Sequence, residues 1–133
     1  MRIKLMTTIF IGLLAAIVIG ADKGALPGFV RSLYEFPGGD KAGHFLLMGA
    51  LSWLINLSSG ARPARLLSRK ILMGSAVVFI VVTLEEVSQL WFRSRTFSLP
   101  DLGFSYAGIL CGGRLALLAL RRQGTTIVFE RSH

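Results

Sequence analysis

The chain has 133 residues, a formal net charge of +8 and 53% hydrophobic residues, against roughly 45–50% in a soluble domain. That length fits one domain. The single cysteine, Cys111, excludes an internal disulfide and the cysteine-rich zinc sites, and the chain shows no low-complexity stretch or internal repeat.

The apolar residues come in blocks. Residues 5–20 carry no charge and follow Arg2 and Lys4, so a first helix is expected at 4–20. The same features make the n- and h-regions of a secretory signal. Ile19-Gly20-Ala21 is a poor cleavage site, because a small residue is missing at its first position. The segment is therefore expected to remain as a helix.

Pro27 suits the start of a short helix. Phe29, Val30, Leu33, Tyr34 and Phe36 then recur at about helical spacing, as in an amphipathic segment lying in a headgroup layer. An irregular aromatic loop is the alternative. Pro37, Gly38 and Gly39 end the segment. A second helix is expected at 42–59, with Asp40 as its N-cap. A basic link follows, with Arg62, Arg65, Arg69 and Lys70. A third helix is expected at 70–92 and a fourth at 99–120. Ser98 caps the fourth, with Pro100 in its first turn and Asp101 three residues on.

A bilayer core needs about 20 apolar residues in a helix. Each block reaches that length once its polar-flecked ends are included. The fold expected is all-α: a polytopic membrane protein with four transmembrane helices in a bundle and a short interfacial helix in the first outer loop. Charge sets its orientation. Arg2, Lys4, Arg62, Arg65, Arg69, Lys70, Arg121, Arg122 and Arg131 fall on one side, with Glu130 the only acid there. Lys23, Arg31, Lys41, Arg93 and Arg95 fall on the other with six acids. Positive loops stay in the cytoplasm, so both termini are expected there. The basic excess reads as a topology signal and a contact with anionic lipid heads, not as a nucleic-acid surface.

This topology gathers the polar residues at the outer face. Asp40, Lys41 and His44 open the second helix. Glu85, Glu86 and Gln89 close the third. Arg93 and Arg95 occupy the loop, and Asp101 and Ser105 open the fourth. At 1.5 Å per residue, Glu86 lies roughly 9 Å inside its helix end and His44 roughly 5 Å. Charges at such depth are tolerable when they face one another, and by default they are functional candidates. Asp40 with His44, Lys41 with His44, Glu86 with Gln89, and Asp101 with Ser105 all have same-face spacing. Glu85 also reaches Gln89, so spacing alone does not separate the two glutamates. A polar zipper that fixes helix register is the structural alternative for the set. The inner halves read as almost purely apolar apart from Arg114, whose long stem suits snorkelling to the interface. Gly108-x-x-x-Gly112 is a helix-packing signature.

The ordered set Asp40-Lys41-x-x-His44, Glu86-x-x-Gln89, Arg95, Asp101 and Gly108-x-x-x-Gly112 resembles the VanZ-like family of small bacterial membrane proteins. The matches span residues 38–113 of what is then a single 1–133 domain. The resemblance selects Glu86 over Glu85. One departure is Ser105, where the family usually has Asn. The resemblance implies a bacterial inner membrane and a link to low-level tolerance of the glycopeptide teicoplanin.

Two functions follow. In the first, a polar pocket binds an anionic lipid headgroup or lipid-linked envelope precursor through Asp40, Lys41, Gln89, Arg95 and Ser105, with Lys41 and Arg95 neutralising phosphate. In the second, a membrane enzyme modifies such a headgroup with His44, Glu86 and Asp101 as acid and base. No cofactor or nucleic-acid partner is expected, and three scattered ligands on His44, Glu86 and Asp101 are weak grounds for a metal. A transporter is disfavoured by the apolar inner halves.

Overall fold

The computed structural model describes residues 2–32, 35–92 and 96–124. The chain is mostly helical. In order come α1 (Arg2–Asp22), α2 (Gly28–Ser32), α3 (Gly39–Ser59), strands β1 (Pro63–Leu66) and β2 (Arg69–Leu72), α4 (Met73–Ser88) with a 3-10 turn at Gln89–Trp91, and α5 (Leu99–Arg122).

Three helical segments are long and apolar enough to cross a membrane: Arg2–Asp22, Met73–Trp91 and Leu99–Arg122. The 21-residue α3 is not among them, although a fourth span was expected there. Asp40, Lys41, His44, Ser52 and Asn56 dilute its apolar character. Its position explains why it carries them. Helix α3 touches α1, α4 and α5, and its His44, Ser52 and Asn56 side chains bond to those neighbours.

Helices α3 and α5 run in the same direction at very close range. The backbone of Gly49 stands against Gly108 and Gly112, and Phe45 stands against Gly108. A side chain at Gly108 or Gly112 would collide with a carbonyl of α3, which is why this spacing demands small residues. Helix α4 runs the other way. Thr83 meets Tyr106 Oη at 2.6 Å, and the Phe79 and Tyr106 rings pack with centroids 4.8 Å apart. Helix α1 also runs opposite to α3, with Thr7 Oγ1 bonded to Ser58 Oγ at 2.7 Å.

Met48, Leu51, Val78, Val82 and Ile109 form an apolar core, and polar side chains are buried beside it. Glu86, Gln89, Ser52, Asn56, Ser75 and Ser105 are buried, while Val77, Ile80, Val81 and Leu84 of α4 and Leu110, Leu115 and Leu118 of α5 are exposed. Contiguous apolar surface of this kind marks an interaction with membrane or protein. The expectation of apolar inner halves is corrected here. Ser52 Oγ donates to the Ile109 carbonyl at 2.8 Å and lies 3.0 Å from Ser75 Oγ. Asn56 Nδ2 donates to Ser75 Oγ at 2.9 Å. This node ties α3, α4 and α5 together well away from His44.

The basic link is a two-stranded antiparallel hairpin, pairing Pro63 with Leu72 and Leu66 with Arg69. Helix α4 therefore begins at Met73, not at residue 70 as expected. The turn residues Leu67 and Ser68 both have positive φ, 48° and 66°, the signature of the tight turns that suit hairpin twist. Helix α3 ends as expected at Ser59. Gly60, in left-handed conformation, and Ala61 return their N–H groups to Leu57 and Asn56, a Schellman closure.

At the other end, α3 does not begin on an Asp40 cap. Gly38 adopts a left-handed φ of 80°, and no side chain caps the helix. Asp40 is exposed in the first turn, where its charge still suits the helix N-terminus. Ser98 does cap α5, accepting the Asp101 N–H at 3.3 Å. The first loop holds the expected short helix, though only over Gly28–Ser32 with Pro27 one position before it. Leu33 and Tyr34 lie outside the described residues.

Candidate functional site

The end of the protein that holds the start of α3, the end of α4 and the start of α5 contains an open cavity of about 710 Å³. Its wall has two characters. Asp40, His44, Glu85, Gln89, Ser98 and Asp101 make a polar side. Leu14, Ile17 and Val18 of α1, with Leu47 and Met48 of α3, make an apolar side. Arg31 and Glu35 stand at the rim and pair at 3.7 Å.

Behind the polar side lies Glu86, only 1% exposed. Its Oε1 accepts the Ser98 N–H at 2.8 Å and its Oε2 accepts from Gln89 Nε2 at 3.0 Å. A buried carboxylate needs such donors, because an unpaired one costs several kcal/mol by approximate accounting. Glu86 thus joins the end of α4 to the start of α5. Gln89 also bonds both oxygens of Glu85, at 3.2 and 3.3 Å. Both glutamates therefore use the spacings seen in the sequence, but they do different things. Glu85 stands on the cavity wall, whereas Glu86 holds the wall together from behind.

His44 Nδ1 lies 3.1 Å from Ser105 Oγ. Ser105 is fully buried and forms no part of the wall. It fixes the imidazole ring, and it is shielded from anything in the cavity. His44 and Asp101 lie within electrostatic reach of Glu86, but His44 spends its hydrogen bond on Ser105 and makes none to Glu86 among the described residues. Asp101 Oδ1 is buried with no hydrogen-bond partner among the described residues.

The structure thus gathers Asp40, His44, Gln89 and Asp101 at one cavity, with Glu86 and Ser105 directly behind. Lys41, in the first turn of α3, is not on the wall. Arg95, and Arg93 beside it, lie outside the described residues. Thr96 and Ser98 line the wall without a signal in the sequence, and Glu85 stands at the place where the resemblance puts Glu86. No three His, Cys, Asp or Glu side chains converge as a metal set among the described residues.

Comparison of the chain with protein-family models, with curated proteins and with solved structures gives no match.

Proposed function

We propose that the protein is an integral membrane protein of the VanZ-like type that binds a lipid or lipid-linked envelope precursor, with the headgroup in the cavity of His44 and Asp101. On this reading α1, α3, α4 and α5 all cross a bacterial inner membrane, both termini are cytoplasmic, and α3 is shielded by the other three. The exposed leucines, isoleucines and valines of α4 and α5 support the membrane setting.

The observation that carries the ligand class is the two-sided wall. An amphiphile places its polar head among Asp40, His44, Gln89 and Asp101, and its chain along Leu14, Ile17, Leu47 and Met48. The head is rich in hydroxyl or amine donors, because the described polar wall offers mainly acceptors: carboxylates, an imidazole and amide and hydroxyl oxygens. A glycosylated lipid phosphate fits. Its sugar hydroxyls meet the carboxylates, and its phosphate sits outward, toward Arg31 at the rim. The acid–base enzyme draws on the same His44, but Ser105, the hydroxyl bonded to it, is buried behind the wall.

The test is the lipid carried through purification. Mass spectrometry of the wild-type protein should find one glycosylated lipid class enriched over the bulk membrane. The double variant Asp40→Asn/Asp101→Asn should lose roughly tenfold or more of that enrichment, the scale of one charge-assisted hydrogen bond. A wild-type protein carrying only the bulk lipid mixture would defeat the proposal. His44→Gln separates the two functions, since a binder keeps most of its affinity whereas an acid–base enzyme loses its turnover.

A further inference from the structure

A second groove, of about 210 Å³, lies at the opposite end of the helices, between the hairpin and α5. Pro63, Leu72, Leu110 and Leu117 make it largely apolar, and two cations, Lys70 and Arg114, share it. No carboxylate lines it, and neither cation has an ion-pair partner among the described residues.

Both cations stand where they carry a cost. Arg114 lies eight residues before the end of α5 at Arg122, roughly 12 Å from that end. A helix flank this apolar is a poor place for a guanidinium unless it meets an anion or snorkels to the interface. Lys70 stands directly opposite Arg65 in the hairpin register, and like charges opposed across a ladder are destabilising. Lys70 thus faces Arg65 across the ladder and shares the groove with Arg114, with no carboxylate paired to either groove cation among the described residues.

We infer that this groove holds the phosphate head of an anionic phospholipid from the leaflet on the hairpin side, with Lys70 and Arg114 as its ligands and Leu110 and Leu117 against its acyl chain. Arg114 presents a planar fork suited to two phosphate oxygens, and Lys70 adds a point charge. Relief of the Arg65–Lys70 repulsion adds to the binding. The apolar floor selects a lipid over a free anion. The site is separate from the cavity of His44 and stands or falls without it.

The test uses the full-length protein in nanodiscs and native mass spectrometry, with phosphatidylglycerol as the probe and phosphatidylcholine as the neutral comparison. Wild type should retain phosphatidylglycerol, and Lys70→Gln/Arg114→Gln should bind it about 30-fold more weakly, the expectation for two membrane-surface cations. Arg114→Lys should keep part of the affinity. Exchange of two arginines that do not line the groove, Arg62→Gln/Arg69→Gln, should do much less. Equal loss in that control would reduce the site to general polybasic attraction and overturn the inference. Displacement of the lipid by millimolar inorganic phosphate would do the same, by showing a soluble-anion site. If the double variant fails to fold, a photoreactive phosphatidylglycerol on wild type decides the matter. Crosslinks at Leu110 or Leu117 support the site, and crosslinks spread evenly over the helix surfaces overturn it.

Discussion

Replacing Gly112 by alanine adds one methyl group where α3 and α5 touch backbone to backbone. The new Cβ would collide with the Gly49 carbonyl oxygen, and a Cβ at Gly108 would collide with that of Phe45. Neither obstacle is the end of a flexible side chain, so the helices must separate. Overpacking of this kind costs about 1–3 kcal/mol, and the gain in helix propensity returns roughly 0.5–1 kcal/mol. The two terms leave a net loss of up to about 2.5 kcal/mol, and relative to Gly103→Ala, which shares the propensity gain, the full cost of about 1–3 kcal/mol remains. Gly49→Ala should be milder, since its Cβ meets the Gly108 oxygen at 3.2 Å. Gly12 and Gly103 have no neighbour within 4 Å, so alanine there should leave stability unchanged or raise it slightly. Equilibrium unfolding of the four variants in detergent micelles measures the series. The separation also pulls His44 from Ser105, so Gly112→Ala should lose ligand enrichment as well. If Gly112→Ala is as stable as Gly103→Ala, the close approach of α3 and α5 is wrong.

Two further outcomes follow from the same geometry. Glu86→Ala leaves the Ser98 N–H without its acceptor and should cost about 1–3 kcal/mol, with faster hydrogen exchange at the Ser98 amide. Glu86→Gln keeps an acceptor oxygen and should exchange more slowly than Glu86→Ala, and equal exchange in the two would remove the tether. In a Cys111→Ser background, a cysteine at Lys23 should react with an impermeant reagent added outside intact cells, whereas one at Arg62 should be protected. The reverse pattern would invert the orientation read from the charges.

The helices were legible because charge punctuates them. Arg2 and Lys4, the Arg62–Lys70 cluster between α3 and α4, and Arg121–Arg122 mark four helix ends, and the observed helices run close to those limits. The small-residue contact was legible too, because Gly108 and Gly112 sit one turn apart on one face. The hairpin was not. Its turn uses Leu67 and Ser68, not the Gly or Asn that normally announces positive φ. The division of labour between Glu85 and Glu86 was also out of reach. Both have helical spacing to Gln89, and only the approach of Ser98 from across the chain decides which is buried. The node of Ser52, Asn56 and Ser75 left a faint signal. Ser52 and Asn56 are one turn apart, and Gly74 and Gly113 supply the room around them. The cavity itself needed α1, whose Leu14, Ile17 and Val18 complete the apolar side and carry no mark in the sequence beyond hydropathy.

In the proposed function an amphiphile lies along the α1–α3 seam with its head at His44 and Asp101. Site-specific photocrosslinking in living cells tests it most directly. A photoreactive residue at Leu47 projects into the cavity, and one at Leu46 projects from the exposed surface next to it. Leu47 should capture one headgroup class, lost in the Asp40→Asn/Asp101→Asn background, while Leu46 should capture the bulk lipid mixture in both. The same bulk mixture at Leu47 and Leu46 would contradict it.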